Sequence, residues 1–201
     1  GFGLVGPAEM RDRAEQLAMI ELNVRTLTDF SLRWIEPMTR HRGGLLNVAS
    51  VAGFIPGPGS AVYYATKAFV VSFSEALHQE WRERGVRVTA LCPGPVPTEF
   101  QMRAGVIESR APELASVPAS RVAEEGYRGL MEGRRLVVPG FLNKIIVALA
   151  PFLPRRILLG AIDRRQRRPR QRERRMAEPR GPGPHRAVIC HRGDADEHAI
   201  G

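Results

Sequence analysis

Apolar residues recur along much of the chain with the spacing that is typical of helices. Spacings of three and four residues predict a helix over residues 9–42, broken near residue 16. A long helix is predicted over residues 62–84, and a shorter one over residues 121–132. These segments supply the layers that would cover a sheet.

Three short apolar runs alternate with the helices and predict buried strands. They cover residues 45–49, 86–92 and 136–138. Because strands and helices alternate, the pattern predicts an α/β fold with a parallel sheet of three strands and flanking helices. Right-handed crossovers would place the helices on the faces of that sheet.

Residues 141–160 are apolar, but prolines, arginines and other polar residues interrupt them. They lack the unbroken run of about 18 apolar residues that a membrane-spanning helix needs. Two interpretations stay open. The segment is either a helix packed on the sheet or over the mouth of a site, or an interfacial helix beside arginines that favour anionic lipid.

Most of the charge lies near the C-terminal end of the sequence. The net charge of +9, taken alone, suggests a nucleic-acid or anionic-membrane partner. Residues 1–154 have 17 Lys and Arg against 15 Asp and Glu, whereas residues 155–201 have 13 Arg against 6 acids. We therefore predict one domain over residues 1–160 and an Arg-rich, disordered tail over residues 161–201. Two cysteines are too few for a disulfide framework, which predicts a reduced, cytoplasmic setting.

The strongest chemical feature is the run Tyr63-Tyr-Ala-Thr-Lys67 in the long helix. Tyr63 and Lys67 are four residues apart and therefore share one helical face. A lysine cation beside a phenol favours the phenolate, so the sequence predicts a lowered pKa for Tyr63 and a role as general acid–base. Ser50 ends the first strand, where its hydroxyl either faces the ligand crevice of the sheet or serves only in a turn.

Four segments, together and in this order, resemble the short-chain dehydrogenase/reductase family. Asn23, in Glu21-Leu-Asn-Val-Arg, matches the asparagine of the family's preceding helix. Asn47-Val-Ala-Ser50-Val-Ala-Gly53 is similar to its catalytic-serine segment, and Tyr63-Tyr-Ala-Thr-Lys67 matches its Tyr-x-x-x-Lys motif. Pro93-Gly94-Pro-Val96-Pro-Thr98 resembles its Pro-Gly-x-Val-x-Thr segment. The resemblance covers about residues 1–140 and implies the C-terminal part of a Rossmann-like, doubly wound sheet.

The resemblance implies hydride transfer between a nicotinamide cofactor, NAD or NADP, and a secondary alcohol or ketone. Tyr63 would then pass a proton to or from the substrate oxygen, which Ser50 would hold. Lys67 would lower the pKa of Tyr63 and bond the cofactor ribose. Asn23 would hold a water that links Lys67 to solvent, whereas without the family it is a polar residue that kinks a helix.

Cofactor contact is implied for six residues, one of which, Thr98, also suits a helix N-cap. The six are Tyr63, Lys67, Pro93, Gly94, Val96 and Thr98. The family's Gly-rich phosphate loop has no counterpart, since proline stiffens residues 57–59. The resemblance therefore implies a catalytic half without the roughly 80–90 residues that grip the adenine and pyrophosphate. Such a chain should bind cofactor very weakly and leave an edge of the first strand unpaired.

The sequence says less about the substrate and the partners than about the cofactor. The segment 99–120 is where family members vary to cover substrate, and it holds apolar residues that hint at an apolar ligand: Met102, Val106, Ile107 and Leu114. Family members usually form dimers and tetramers through the helices that correspond to residues 17–42 and 62–84. The apolar surfaces of those helices equally suit the intramolecular core.

A non-enzymatic protein is the alternative hypothesis, with the basic tail binding nucleic acid or a membrane surface. Nucleic acid is disfavoured because no aromatic residue lies between the arginines to stack on bases. Peripheral membrane contact through residues 141–175 is compatible with the enzyme, because a lipid-like substrate would suit it.

Overall fold

The computed structural model describes residues 1–96, 116–156, 158–160 and 162. Thr98, the apolar residues at 102–114 and all but residue 162 of the predicted tail lie outside the described residues.

A three-stranded parallel sheet forms the centre of the molecule. Its strands are β1 (Gly44–Val48), β2 (Arg87–Leu91) and β3 (Leu136–Val137), in the spatial order β1-β2-β3. Leu45 pairs with Val88 in the first ladder. This confirms the predicted α/β fold, and the central strand β2 is the most deeply buried, as expected for a strand covered on both faces.

α-Helices surround the sheet, and residues 155–156, 158–160 and 162 are helical as well as the elements named next. They are α1 (Arg13–Ile20), α2 (Leu27–Arg33), α3 (Ile35–His41), α4 (Ala61–Arg82), α5 (Ala119–Met131) and α6 (Phe141–Leu149). Short 3₁₀ turns occur at Ala8–Met10, Val51–Phe54 and Ala150–Phe152.

The helical region before β1 differs from the prediction of one helix with a break near residue 16. It begins at Asp12, whose side chain accepts a hydrogen bond from the Glu15 amide at 2.9 Å. A π-helical turn, Glu21–Thr26, then joins α1 to α2, and a second interruption falls at Trp34. The predicted break was therefore wrong in position. The π-turn places the polar residue Asn23 inside the fold, where it is only 3% exposed.

Helix α4 packs directly on β1 and β2 and contributes to two core clusters. Near its C-terminal end Leu77 and Trp81 contact Val86 and Val88. Near its middle, a second cluster of buried side chains includes Ala49, Val70, Val71, Ala90 and Cys92. The two clusters fix this helix against the sheet, so a side chain on its first turns has a set position relative to the strand ends.

Helices α5 and α6, which come later in the chain, also pack against the sheet and the core. Helix α5 approaches the sheet closely because Gly126 faces Leu91 and Gly129 faces Val137. Helix α6 follows β3 and packs Val147 against the central cluster. Within the described residues, no helix has the length and apolar character needed to cross a membrane.

Candidate functional site

The carboxyl ends of β1 and β2 are tied together just beyond the strands. The Ala49 amide donates to the Leu91 carbonyl at 2.8 Å, and the Val51 amide donates to the Pro93 carbonyl at 3.0 Å. Ser50 lies between these two links, and its Oγ donates to the same Pro93 carbonyl at 3.4 Å. The end of β1 is thus held against the segment that begins at Pro93.

Ser50 has a role in the turn after β1, and its side chain also contacts Tyr63. Its Oγ accepts a hydrogen bond from the Ala52 amide at 3.1 Å, which caps the short turn after β1. Its side chain also hydrogen-bonds Tyr63. Gly53 lets the turn after β1 lie close to α4, because a Cβ at this position would lie 2.8 Å from the Lys67 carbonyl oxygen.

Lys67 is a buried cation one helical turn after Tyr63. Its side chain is 8% exposed, and its Nζ donates to the Val48 carbonyl at 2.9 Å. The same Nζ lies 5.9 Å from the centre of the Tyr63 ring. Helix α4 therefore brings Tyr63 and Lys67 to the carboxyl end of β1, beside Ser50.

The electrostatics of Tyr63 differ from the sequence prediction. Burial raises the pKa of Tyr63 to about 12, even though its hydrogen bond with Ser50 acts to lower the pKa. The prediction of a lowered pKa fails here because desolvation of the ring outweighs other influences and the Lys67 ammonium is directed at the Val48 carbonyl. Tyr63 is therefore a neutral phenol at pH 7.

The pKa of Lys67 is shifted in the direction expected of a buried cation. Desolvation lowers its pKa to about 8, against a smaller opposing effect from Cys92. Cys92 is fully buried and its own pKa is raised to about 12, mainly by burial. Near neutral pH the site thus holds an ammonium ion, a phenol and an inert thiol.

Asn23 reaches the same region from the π-turn. Its Oδ1 accepts from the Phe2 amide at 3.2 Å, and its Nδ2 donates to the Phe2 carbonyl at 2.9 Å. Nδ2 also lies 3.2 Å from Oγ1 of Thr66, the residue before Lys67. Asn23 therefore links the first residues of the chain to α4, and the predicted water-holding role stays a prediction.

Asn143 is a residue that the sequence analysis counted only as an interruption of an apolar segment. It is 1% exposed, its Nδ2 donates to the Pro139 carbonyl at 2.8 Å, and a Cβ added to Gly94 would lie 2.5 Å from it. Asn143 thus packs against the backbone of the predicted nicotinamide segment. The available signal was a lone amide among apolar helical residues. Val96, in the same segment, packs against the cluster that holds Leu91 and Val117.

The donor set fits the nicotinamide–ribose half of a cofactor. Lys67 has three N–H groups, one of which reaches Val48, and such an ammonium suits ribose hydroxyls. Ser50 and Tyr63 add two hydroxyls at the same end of the sheet. The loop at residues 57–59 has a packing role instead, since Gly57 lies against the ring of Tyr64 and the Gly59 carbonyl accepts from the Gly6 amide at 2.7 Å.

The fold is Rossmann-like, with a parallel sheet that has Ser50, Tyr63 and Lys67 near its carboxyl edge. The family model described as short chain dehydrogenase matches residues 1–107. This chain belongs to the short chain dehydrogenase family.

Individual relatives agree with that assignment. The chain is 31% identical to the uncharacterized oxidoreductase YbbO of Escherichia coli strain K12 over 113 residues, which are 56% of this chain and 42% of YbbO. It is similar to a solved short-chain dehydrogenase from Sphingobium yanoikuyae in complex with NADPH, with a TM-score of 0.65, 25% identity and coverage of 90% of this chain and 63% of that one. A 3-ketoacyl-(acyl-carrier-protein) reductase from Brucella melitensis complexed with NADH gives a TM-score of 0.61, 25% identity and coverage of 70% and 63%. The chain spans about two-fifths of the length of YbbO.

Proposed function

We propose that this protein is an NAD(P)-dependent oxidoreductase that interconverts a secondary alcohol and a ketone. The observation that carries the proposal is the Ser50–Tyr63 hydrogen bond with the buried Lys67 ammonium one turn away. Family membership supports it, and so do the relatives whose structures hold NADPH or NADH. The choice between the two cofactors stays open.

The bound cofactor would supply or accept the hydride at the substrate carbon. In the reducing direction, Tyr63 gives its phenolic proton to the carbonyl oxygen as the hydride reaches the carbonyl carbon. Ser50 donates a hydrogen bond to the same oxygen and holds it within reach of the phenol. The Lys67 ammonium would turn from the Val48 carbonyl toward the phenolate that Tyr63 becomes and stabilise it, because an opposite charge nearby favours the charged form.

With a pKa of about 12, Tyr63 is protonated at neutral pH and therefore carries the proton that reduction requires. Oxidation needs the phenolate as a base, so its rate should rise with pH. Pro93, Gly94 and Val96 are proposed to line the nicotinamide side, with Gly94 supported from behind by Asn143.

A pair of adjacent tyrosines provides the test. Tyr63→Phe removes the proposed proton donor, whereas Tyr64→Phe removes the hydroxyl of its neighbour, whose ring packs against Gly57. Oxidation of NADPH, NADH and reduced nicotinamide mononucleotide is followed by absorbance, with a panel of apolar ketones. The mononucleotide is included because it needs only the ribose–nicotinamide contacts.

Tyr63→Phe should lower turnover by about 100-fold or more, in line with the usual contribution of a general acid. Tyr64→Phe should stay close to the wild type. If the two variants lose activity equally, or if Tyr63→Phe turns over at the wild-type rate, the proposed role of Tyr63 is wrong.

We also propose that the substrate is apolar and that two copies associate through α1, α2 and α4. Support for the association comes from apolar side chains that these helices leave in water. Leu17, Phe30 and Leu32 are each about half exposed, at 50%, 54% and 52%. A cytoplasmic setting stays a prediction from the cysteine count.

A further inference from the structure

Helix α6 and the 3₁₀ turn after it expose large apolar side chains. Phe141 and Phe152 are 80% and 82% exposed, and Leu149 is 51% exposed. We name the α6 face as the six partly or largely exposed apolar residues Phe141, Ile145, Ile146, Leu149, Phe152 and Leu153. An apolar patch of this kind marks an interaction site more often than a free surface.

The α6 face is a consequence of how the helix packs. Asn143 and Ala150 are buried and Val147 contacts the central cluster, so one side of the helix is turned to the sheet. The opposite side would be polar in an ordinary surface helix. Here Phe141, Ile145 and Leu149 recur on it at intervals of four, so the helix is apolar on both sides.

Only cations flank the α6 face within its own segment. Lys144, Arg155 and Arg156 are exposed, and residues 133–162 contain no Asp or Glu. The sequence then continues with eight arginines between residues 164 and 175. An apolar face bordered by cations has the composition of a segment that binds an anionic lipid surface.

A second copy of this chain is the poorer occupant. A symmetric contact through the α6 face would bring Lys144, Arg155 and Arg156 of both copies together, with no carboxylate from residues 133–162 to pair them. Lipid phosphates would neutralise the same cations. The nine residues of α6 are also far fewer than the about 20 that span a bilayer, so the helix would lie along the surface.

We propose that the α6 face docks on an anionic phospholipid surface. Phe141 and Phe152 enter the boundary between headgroups and acyl chains, and Lys144, Arg155 and Arg156 contact lipid phosphates. This inference goes beyond the proposed oxidoreduction and does not depend on it.

Flotation of the full 201-residue chain with vesicles tests the proposal. Vesicles of pure phosphatidylcholine are compared with vesicles that contain about 30% phosphatidylglycerol, the source of anionic charge. Phe141→Ser/Phe152→Ser removes the most exposed apolar groups, and Arg155→Gln/Arg156→Gln removes the charges. Tyr127→Ser/Met131→Ser in α5 is the matched control, since those side chains are 63% and 47% exposed outside the α6 face. Circular dichroism and thermal melting establish that each variant is folded.

The wild type and the α5 control should float with anionic vesicles, and far less with neutral ones. The Phe141→Ser/Phe152→Ser variant should bind at least about tenfold more weakly, because two exposed aromatic rings no longer enter the lipid. The arginine variant should lose binding chiefly at low salt.

Three results would overturn the proposal. Wild-type protein that does not float with anionic vesicles excludes lipid docking. Unchanged binding of folded Phe141→Ser/Phe152→Ser means that the arginine-rich tail alone holds the protein by charge. A dimer that light scattering detects without vesicles, and that the phenylalanine variant abolishes, assigns the α6 face to a second copy.

Discussion

Replacing Lys67 with methionine should change how the stability of the fold depends on pH. Lys67 is buried, so its ammonium charge is held largely away from water, beside the Val48 carbonyl. Methionine has a similar length and no charge. The variant therefore removes the titrating group while keeping most of the packing.

The magnitude follows from the pKa of Lys67. The folded value of about 8 lies below the ordinary value of 10.5. The unfolded chain therefore binds more protons between those two pH values, and the free energy of unfolding should rise with pH across that window. At about 1.4 kcal/mol for each pKa unit, the full effect is roughly 3 kcal/mol, of which roughly 2 kcal/mol appears between about pH 7.5 and about pH 9.5. Cys92 and Tyr63 have pKa values raised from 9.0 and 10.0 to about 12, so they act in the opposite direction as the pH passes 9 and 10. Both groups are present in the wild type and in Lys67→Met, so the comparison of the two isolates the effect of Lys67.

Urea unfolding, followed by circular dichroism at about pH 7.5, 8.5 and 9.5, measures this dependence. The wild type should gain roughly 2 kcal/mol relative to Lys67→Met over that range. Lys144→Met is the control, because that side chain is exposed on α6 and its removal should leave the wild-type slope unchanged. If Lys67→Met keeps the same slope as the wild type, Lys67 is not desolvated as described and the reasoning about the site charge fails.

Two further variants test packing. Trp81→Ala should cost about 3–5 kcal/mol of the free energy of unfolding in urea, whereas Trp34→Ala, at a half-exposed position, should cost much less; equal costs would contradict the described core. Gly94→Ala should destabilise the fold by about 1–3 kcal/mol, because the new Cβ meets Asn143, and Asn143→Ala should relieve part of that cost in the double variant. Strict additivity in this cycle would show that the two residues do not touch.

Regular elements were predictable where one periodicity dominates. The strand predicted at 45–49 is Gly44–Val48, and the helix predicted at 62–84 is Ala61–Arg82. The region before β1 was less predictable, because its interruptions come from tertiary contacts. The π-turn at Glu21–Thr26 places Asn23 against Phe2 and Thr66, and both partners are distant from the local pattern.

In the candidate site, too, local patterns were predictable and the effects of tertiary contacts were not. Spacing alone put Tyr63 and Lys67 on one face of α4, and a strand end supplied Ser50. The direction of the Tyr63 pKa was not accessible, because it depends on how deeply the ring is buried and on which acceptor Lys67 meets. Asn143 was missed for a related reason, since its contact with Gly94 joins two segments about fifty residues apart.

The packing of Asn143 against Gly94 places the α6 face close to the segment beside Ser50. One side of α6 touches the segment that adjoins Ser50, and the other side is the α6 face. An α-helix with its side chains is about 10–12 Å across. With the α6 face on lipid, an apolar ketone dissolved in the membrane would lie about one helix diameter from the proposed site at Ser50 and Tyr63. Its supply would then follow its concentration in the lipid, and partitioning rather than solubility in water would decide which ketones are reduced.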